Sequence, residues 1–518
     1  MKLSDLLVDL EYEVICGNTD IDVEGITNDS RKVEEGMLYF AIPGATVDGA
    51  RFIPDVIRQD AAVIVTEKAE KKLSDILQDD ITVNGLFEEM ESERVTIINV
   101  PSARYAMGII SSRFYGEPSK ELTVIGITGT KGKTTTSYMI KEMLELAGVR
   151  VGLIGTIEIQ DGKASYPAAN TTPESIIVHK TMRDMVENDL EAVVMEVSSQ
   201  GLMMDRVAGV DFDFGIFTNL SPDHIGPNEH DSYENYRECK KKLFSMCRKG
   251  IYNIDDPEAE YMMEGSSSYP ITFGEGEEAD YQAVGHKLYI ENGIMGIQYE
   301  LEGTLEGTVR VDLPGEFSIH NSLAALVVAD CLGVGFDEIK RILSEIKVRG
   351  RVEMIPISDK FTLMIDYAHN GMSLESLLNA IKEYNPKRIV TLFGCGGNRS
   401  KARRYEMGEV SGRLSDLSII TSDNPRKEEP QAIIDDIITG IEKTDGKYVD
   451  IIDRKEAIRY AIMNAQEGDV IILAGKGHED YQEINGKKYH MDERELIRDI
   501  LEEEDVDKIC GYNNRYFA

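Results

Sequence analysis

Residues 124–136 read Val-Ile-Gly-Ile-Thr-Gly-Thr-Lys-Gly-Lys-Thr-Thr-Thr: an apolar run, a glycine loop, then a lysine and hydroxyls at a helix start. That order of residue types suits a polyphosphate. Gly129 and Gly132 let backbone N–H groups approach phosphate oxygens, and the new helix turns its positive dipole end toward them. Lys133 is long enough to reach the β- and γ-phosphates, and the Thr134 hydroxyl can ligate Mg²⁺. Ile127 occupies the position where a strict Walker A pattern has its first glycine, so the loop is a variant of that pattern. The loop residues Thr128, Gly129, Thr130, Lys131, Gly132, Lys133, Thr134 and Thr135 therefore predict an ATP site.

Two further groups belong to the same chemistry. Glu196 ends the apolar run Ala-Val-Val-Met-Glu, and a carboxylate inside a buried strand is costly unless it is paired or binds a metal. His224 follows the next apolar run on the loop Asn219-Leu-Ser-Pro-Asp-His. Thr134 and Glu196 supply the oxygen ligands that Mg²⁺ prefers, with phosphates completing the shell; His224 is the softer candidate. Lys240 lies in Tyr236-Arg-Glu-Cys-Lys-Lys-Lys-Leu-Phe244, which by itself reads as a solvated helix face.

The elements that must hold these groups are α/β. Strand-like runs at 38–42, 61–66 and 96–100 alternate with helical stretches in the first segment, and 111–120 has the composition of a linker. After the glycine loop, Met139, Ile140, Met143, Leu144 and Leu146 form an apolar helical stripe, with Gly148 as its C-cap. Residues 284–313 are β-rich and punctuated by turns, and 321–332 read as helix. From about 349, four apolar runs (361–365, 389–393, 417–421 and 470–473) each end in a polar loop, with helical stretches between them. That is the alternation of a doubly wound sheet, which binds ligands beyond the carboxyl ends of its strands.

The 518 residues exceed what one core accommodates, so three domains are expected, at 1–118, 119–348 and 349–518. A net charge of −37 disfavours nucleic acid and anionic membrane as partners, and requires basic residues to gather locally if substrates are anionic. No apolar run reaches the roughly 18 residues of a membrane span. The N-terminus lacks an apolar signal region. The six cysteines are scattered without CxxC spacing. Together these features predict a cytoplasmic protein with reduced thiols. A monomer is the expectation for oligomeric state.

Six motifs in order, Gly129–Thr134, Glu196-Val-Ser-Ser199, Asn219–His224, His320-Asn321, Gly350-Arg351-Val-Glu353 and Asp366-Tyr-Ala-His369, resemble the Mur ligase family over essentially the whole chain. The resemblance implies a central P-loop-type mononucleotide-binding sheet, an N-terminal α/β UDP-binding domain and a C-terminal Rossmann-like domain. It implies an ADP-forming amide ligase acting through an acyl phosphate in peptidoglycan precursor synthesis. Lys133, Glu196, His224, Lys240 and Arg351 become its catalytic set, with Asn321 and Asp366 gripping the nucleotide. Lys240 falls on the lysine that the family carbamylates, which would make it a Mg²⁺ ligand.

Within the family the resemblance is to the diaminopimelate-adding branch. Asp29-Ser30-Arg31 and Gly44–Gly49, with Ser30, Ala45, Thr46 and Val47, look like a uridine-nucleotide site. Asn170, Thr171, Thr172, Ser198 and Arg206 look like contacts to the muramoyl dipeptide, so UDP-MurNAc-L-Ala-D-Glu is the implied acyl substrate. Asp423-Asn424-Pro425-Arg426, with Arg399, Gly475 and Glu479, looks like the pocket for meso-diaminopimelate. The guanidinium of Arg426 suits the one carboxylate that distinguishes diaminopimelate from lysine, and Glu479 suits the distal ammonium. Because the glycine loop and Arg426 fall in different segments, domain closure is expected. A lysine-adding ligase, a folylpolyglutamate-synthetase-like ligase and a P-loop regulatory protein are the alternatives.

Overall fold

A computed structural model describes residues 1–44, 47–67, 95–223, 225–226 and 229–517. Ala45, Thr46 and His224, with the acidic stretch 88–93, lie outside the described residues. The chain divides into two compact units, Met1–Thr272 and Phe273–Ala518.

In the first unit, a sheet ordered Glu13–Cys16, Thr96–Asn99, Val63–Thr66, Met37–Ala41, Gly25–Thr27 is parallel except at its first strand. The second sheet of this unit carries the glycine loop. Its parallel strands run Cys247–Asn253, Phe212–Phe217, Thr123–Thr128, Ala192–Glu196, Val151–Ile154. Pairing sets Glu196 opposite Ile127 and Phe217 opposite Thr128. The carboxyl ends of three strands thus finish at one level, as the rule for open parallel sheets requires of a site. Helix Lys133–Leu146 leaves this edge and buries Met139, Ile140, Met143 and Leu144. Gly148 closes it with φ +89°, a left-handed cap. Leu146, expected in the apolar stripe, is instead exposed.

The stretch 111–120 is not a free linker. Ser111 and Ser112 complete helix Ala103–Phe114, and Ser112 Oγ donates to Gly209 O at 2.9 Å. Small residues there serve close packing: a side chain at Gly209 would lie 2.9 Å from the Ser112 Cβ. Composition alone cannot separate packing serines from spacer serines.

In the second unit, antiparallel strands Tyr281–Glu291, Ile294–Gly303 and Gly307–Val311 are followed by helix Phe317–Cys331, apolar nearly all round and largely buried. The C-terminal sheet runs Glu353–Met354, Thr362–Asp366, Asp469–Ala474, Arg388–Phe393, Leu417–Ile420, Tyr448–Asp450, parallel except for its first strand. Separate apolar clusters cover its two faces, one around Leu378, Phe393 and Ile437, the other around Ile365, Leu392 and Ile458. All four expected strand-to-loop transitions are present.

Beneath two of those loops Arg454 and Glu493 form a fully buried ion pair at 2.8 Å. Arg454 also donates to Ser422 O at 3.3 Å and Ala474 O at 3.1 Å, tying two strand ends together. Burial raises the Glu493 carboxyl above its ordinary pKa despite the neighbouring guanidinium. Removing one partner of such a pair leaves an uncompensated charge. Arg454→Ala is expected to cost about 3–5 kcal/mol of stability. Chemical denaturation with unchanged unfolding transitions would contradict the pair's bracing role.

Candidate active site

In the first unit the glycine loop is stapled to the loop after Phe212–Phe217. Thr130 N–H donates to Asn219 O and Lys131 N–H to Asn219 Oδ1, each at 2.9 Å, while Thr218 Oγ1 donates to Lys131 O at 2.8 Å. Gly129 is obligatory, because a Cβ there would lie 1.9 Å from Thr218 Oγ1. Gly132 has φ +85° and precedes the helix, whose first-turn amides, from Lys133 onward, have no intrahelical acceptor by geometry. Lys133 Nζ lies across the loop, 2.8 Å from Gly129 O and 3.1 Å from Thr130 O. The Thr128 hydroxyl is buried and has no partner among the described residues, and Thr135 is half-buried in the first helical turn.

Glu196 is fully buried, and among the described residues no cation pairs with it. Its charge rests on neutral donors: Thr134 Oγ1 at 3.0 Å, Thr156 N–H at 2.9 Å and Thr156 Oγ1 at 2.9 Å. Gly155 allows this approach, since a Cβ would stand 2.7 Å from Glu196 Oε1. Such a carboxylate fits Mg²⁺: its oxygens adjoin the Thr134 hydroxyl and lack the cation a buried charge calls for. No cluster of three His, Cys, Asp or Glu is preassembled among the described residues, so protein groups alone do not complete a shell.

Lys240, expected on an exposed face by its composition, is buried, with Nζ donating to Gly129 O at 2.8 Å. Burial, reinforced by the Lys133 charge, holds its amine well below the usual lysine pKa. Beside it the Tyr236 hydroxyl meets Thr130 Oγ1 at 2.9 Å, and buried His230 bridges Ser199 Oγ and Asn235 Oδ1, each at 2.9 Å. Sequence reasoning missed Thr156 and His230. Thr156 carried a readable signal, because Gly155-Thr156 follows the short apolar run Val151–Ile154. His230 did not.

A polar string continues from Glu196. The Thr156 and Thr171 hydroxyls are 3.1 Å apart; Thr172 Oγ1 donates to Glu196 O at 2.9 Å and accepts from Ser198 N–H at 2.9 Å. Arg206 donates to Thr172 O at 3.1 Å and pairs with Glu174 at 2.9 Å, and Glu174 also pairs with Arg104 at 3.4 Å. Arg104 and Glu174 line a cleft of about 570 Å³ with Asp29, Ser30, Arg31, Tyr39, Val47 and Phe52. Asn170 is exposed.

In the second unit, Asp366 Oδ2 accepts from Val352 N–H and Oδ1 from Ala368 N–H, both at 2.8 Å. Burial raises the Asp366 carboxyl pKa, and nearby Arg351 opposes that shift. Val352 adopts φ +46°, a left-handed strain for a β-branched residue, in the turn that presents Arg351. Gly350 permits that turn, since a Cβ would fall 2.2 Å from His478 N. Arg351 faces the Tyr367 ring at 5.1 Å. Asn321 is buried near the start of its helix.

Asp423, Asn424 and Pro425 are buried and Arg426 half-buried on one loop. Asn424 Nδ2 donates to Glu479 Oε2 at 2.9 Å, and Gly475, at φ +105°, has room for only a 3.1 Å approach to Asp423 Oδ2. Arg399 is exposed on the neighbouring loop. The structure thus brings Asp423, Asn424, Arg426, Gly475 and Glu479 together on neighbouring loops, with Arg399 near Gly396 at their edge.

Comparison with known proteins agrees with this architecture. Residues 22–115 match the Mur ligase family catalytic domain, 127–329 the Mur ligase middle domain, and 350–477 the Mur ligase glutamate ligase domain. The chain is 42% identical over 505 residues (97% of this chain, 99% of the relative) to a UDP-N-acetylmuramoyl-L-alanyl-D-glutamate–2,6-diaminopimelate ligase of Caldanaerobacter subterraneus subsp. tengcongensis. It is 40% identical over 508 residues to a like-named ligase 1 of Clostridium acetobutylicum, covering 97% of this chain and all of that one. A solved structure of a ligase with the same printed name superposes with a TM-score of 0.69 at 26% identity, covering 97% of this chain and 99% of its own. The glycine loop, the buried carboxylate and the full-length match together make this chain a member of the Mur ligase family.

Proposed function

We propose that the chain joins meso-diaminopimelate to the D-glutamyl γ-carboxylate of UDP-N-acetylmuramoyl-L-alanyl-D-glutamate at the expense of ATP, in cytoplasmic peptidoglycan precursor synthesis. The observation that carries this reading is the hydrogen-bonded string from Thr134 and Glu196 through Thr156, Thr171, Thr172 and Arg206. It links a polyphosphate loop to groups suited to an acyl substrate within a single unit. The cleft around Ser30 and Val47 supports binding of the nucleotide end, and the Asp423–Arg426 loop supports the acceptor. Arg31, Arg104 and Arg206 place guanidinium donors in the first unit, offset in part by Asp29 and Glu174. The matched stretches leave 116–126 and 330–349 unassigned, which supports domain divisions near 118 and 348.

In the proposed reaction a γ-carboxylate oxygen attacks the γ-phosphorus of ATP, the bond to the β-phosphate oxygen breaks, and ADP leaves. An uncharged amine of the acceptor then adds to the acyl phosphate carbon, loses its proton and expels inorganic phosphate. Lys133 and Arg351 neutralise charge on the transferring phosphoryl group, which needs positioning more than covalent help. Thr134, Glu196, His224 and Lys240 as its carbamate would hold Mg²⁺, which supplies further charge neutralisation at the phosphates. Lys240 is suited to carbamylation because its depressed pKa favours the free amine. That amine adds to carbon dioxide, forming an N–C bond and releasing one proton, so a buried neutral amine becomes an anion.

Phosphate release from ATP is expected only when the UDP-linked dipeptide and diaminopimelate are both supplied; rapid release with ATP alone contradicts the ligase. Arg426→Ala is expected to raise the diaminopimelate KM by at least about tenfold while leaving the ATP KM within twofold. With ¹³C-labelled bicarbonate, a carbamate resonance is expected in the wild type and not in Lys240→Ala. Full activity with an unlabelled, unmodified Lys240 would exclude that role.

A further inference from the structure

Two residues that no motif assigned complete the acceptor pocket. Lys476 is fully buried, yet its ammonium has three acceptors: Glu479 Oε2 at 2.8 Å, Asn424 Oδ1 at 3.2 Å and the Tyr481 carbonyl. Glu483, on strand Tyr481–Ile484, accepts from Arg426 Nε at 3.0 Å. The same strand fixes the loop backbone, with Arg426 N–H donating to Glu483 O at 2.9 Å and Asn485 N–H to Arg426 O at 2.6 Å. These bonds hold Arg426 at φ +54°, a conformation an arginine adopts only under constraint. Asn424 couples the two pairs, its Oδ1 also accepting from Glu483 N–H at 2.8 Å.

The contacts leave a pattern. Both donors to Glu479 fall on Oε2, and Oε1 has no partner among the described residues. Arg426 spends Nε on Glu483 and donates from one terminal nitrogen to Gly397 O at 2.9 Å, while its other terminal nitrogen has no acceptor there. Glu479 Oε1 is therefore an open acceptor and the second terminal nitrogen of Arg426 an open donor, each on a group neutralised by a fixed counter-ion.

The geometry points to Lys476 and Glu483 as positioning residues of a charge-balanced receptor for the zwitterionic distal end of an α,ω-diamino dicarboxylic acid. Arg426 takes the carboxylate and Glu479 the ammonium. An acceptor with a distal ammonium alone, such as L-lysine, leaves the Arg426 donor unmatched, and an unpaired charged group in a pocket is penalised. Pre-pairing also holds both side chains in place before the ligand arrives, which lowers the ordering cost of binding. This inference rests on the diaminopimelate reading above.

Glu483→Gln keeps the shape and removes the charge. Steady-state kinetics on the full chain should give a diaminopimelate KM raised about tenfold, with kcat at saturation and the ATP KM within twofold. The kcat/KM ratio of diaminopimelate to L-lysine should fall, and Glu483→Asp should recover part of it. Lys476→Met should lower the same ratio; if it fails to fold, Glu483→Gln alone decides. Wild-type kinetics and an unaltered ratio in Glu483→Gln would overturn the receptor. A wild-type protein that ignores diaminopimelate would instead overturn the functional reading.

Discussion

A buried carboxylate with no cation beside it among the described residues is the constraint from which the first unit is organised. Glu196 sits at the end of a central strand, solvated among the described residues by two threonine hydroxyls and one amide. Several neutral hydrogen bonds reduce the desolvation penalty of such a charge without cancelling it. In the proposed reaction a divalent ion would provide the remaining compensation, with phosphate oxygens of a nucleotide on the neighbouring loop as its further ligands. Lys240 obeys the complementary logic: a buried amine resting on a carbonyl, with Lys133 nearby, is pushed toward its neutral form.

Close backbone approach makes these placements possible. Gly129 lets the loop press against Thr218, Gly155 lets Thr156 reach Glu196, and Gly350 lets the Arg351 turn lie against His478. In the second unit the same principle is carried by ion pairs. Arg454 ties two strand-end loops from below, and Lys476 and Glu483 fix the loop groups from above. Val352 and Arg426, both non-glycine residues at positive φ, are stretched positions held by their surroundings.

Much of this was legible in the sequence because it depends on local order. The strand-loop-helix at 124–136, the strand ending at Glu196 and the four C-terminal strand-loop transitions each declare themselves by apolar runs meeting polar turns. What was not legible depends on pairing between distant segments. Lys240 among three lysines resembles a solvated face, and only the fold turns its side chain inward. Arg454 with Glu493, and Arg426 with Glu483, lie 39 and 57 residues apart, with nothing local to mark them as partners. The serines at 111–112 and the exposed Leu146 went astray for the same reason: packing, not composition, decides which small or apolar residue is buried.

In the proposed reaction Glu196 and Thr134 are reserved for a divalent ion at the nucleotide. Anomalous scattering from Mn²⁺ in crystals grown with a non-hydrolysable ATP analogue tests it directly. A manganese peak is expected within coordination distance of the Thr134 hydroxyl and a Glu196 oxygen, with the phosphates as co-ligands. Manganese bound elsewhere on the nucleotide, with Glu196 still bonded only to Thr134 and Thr156, would contradict it.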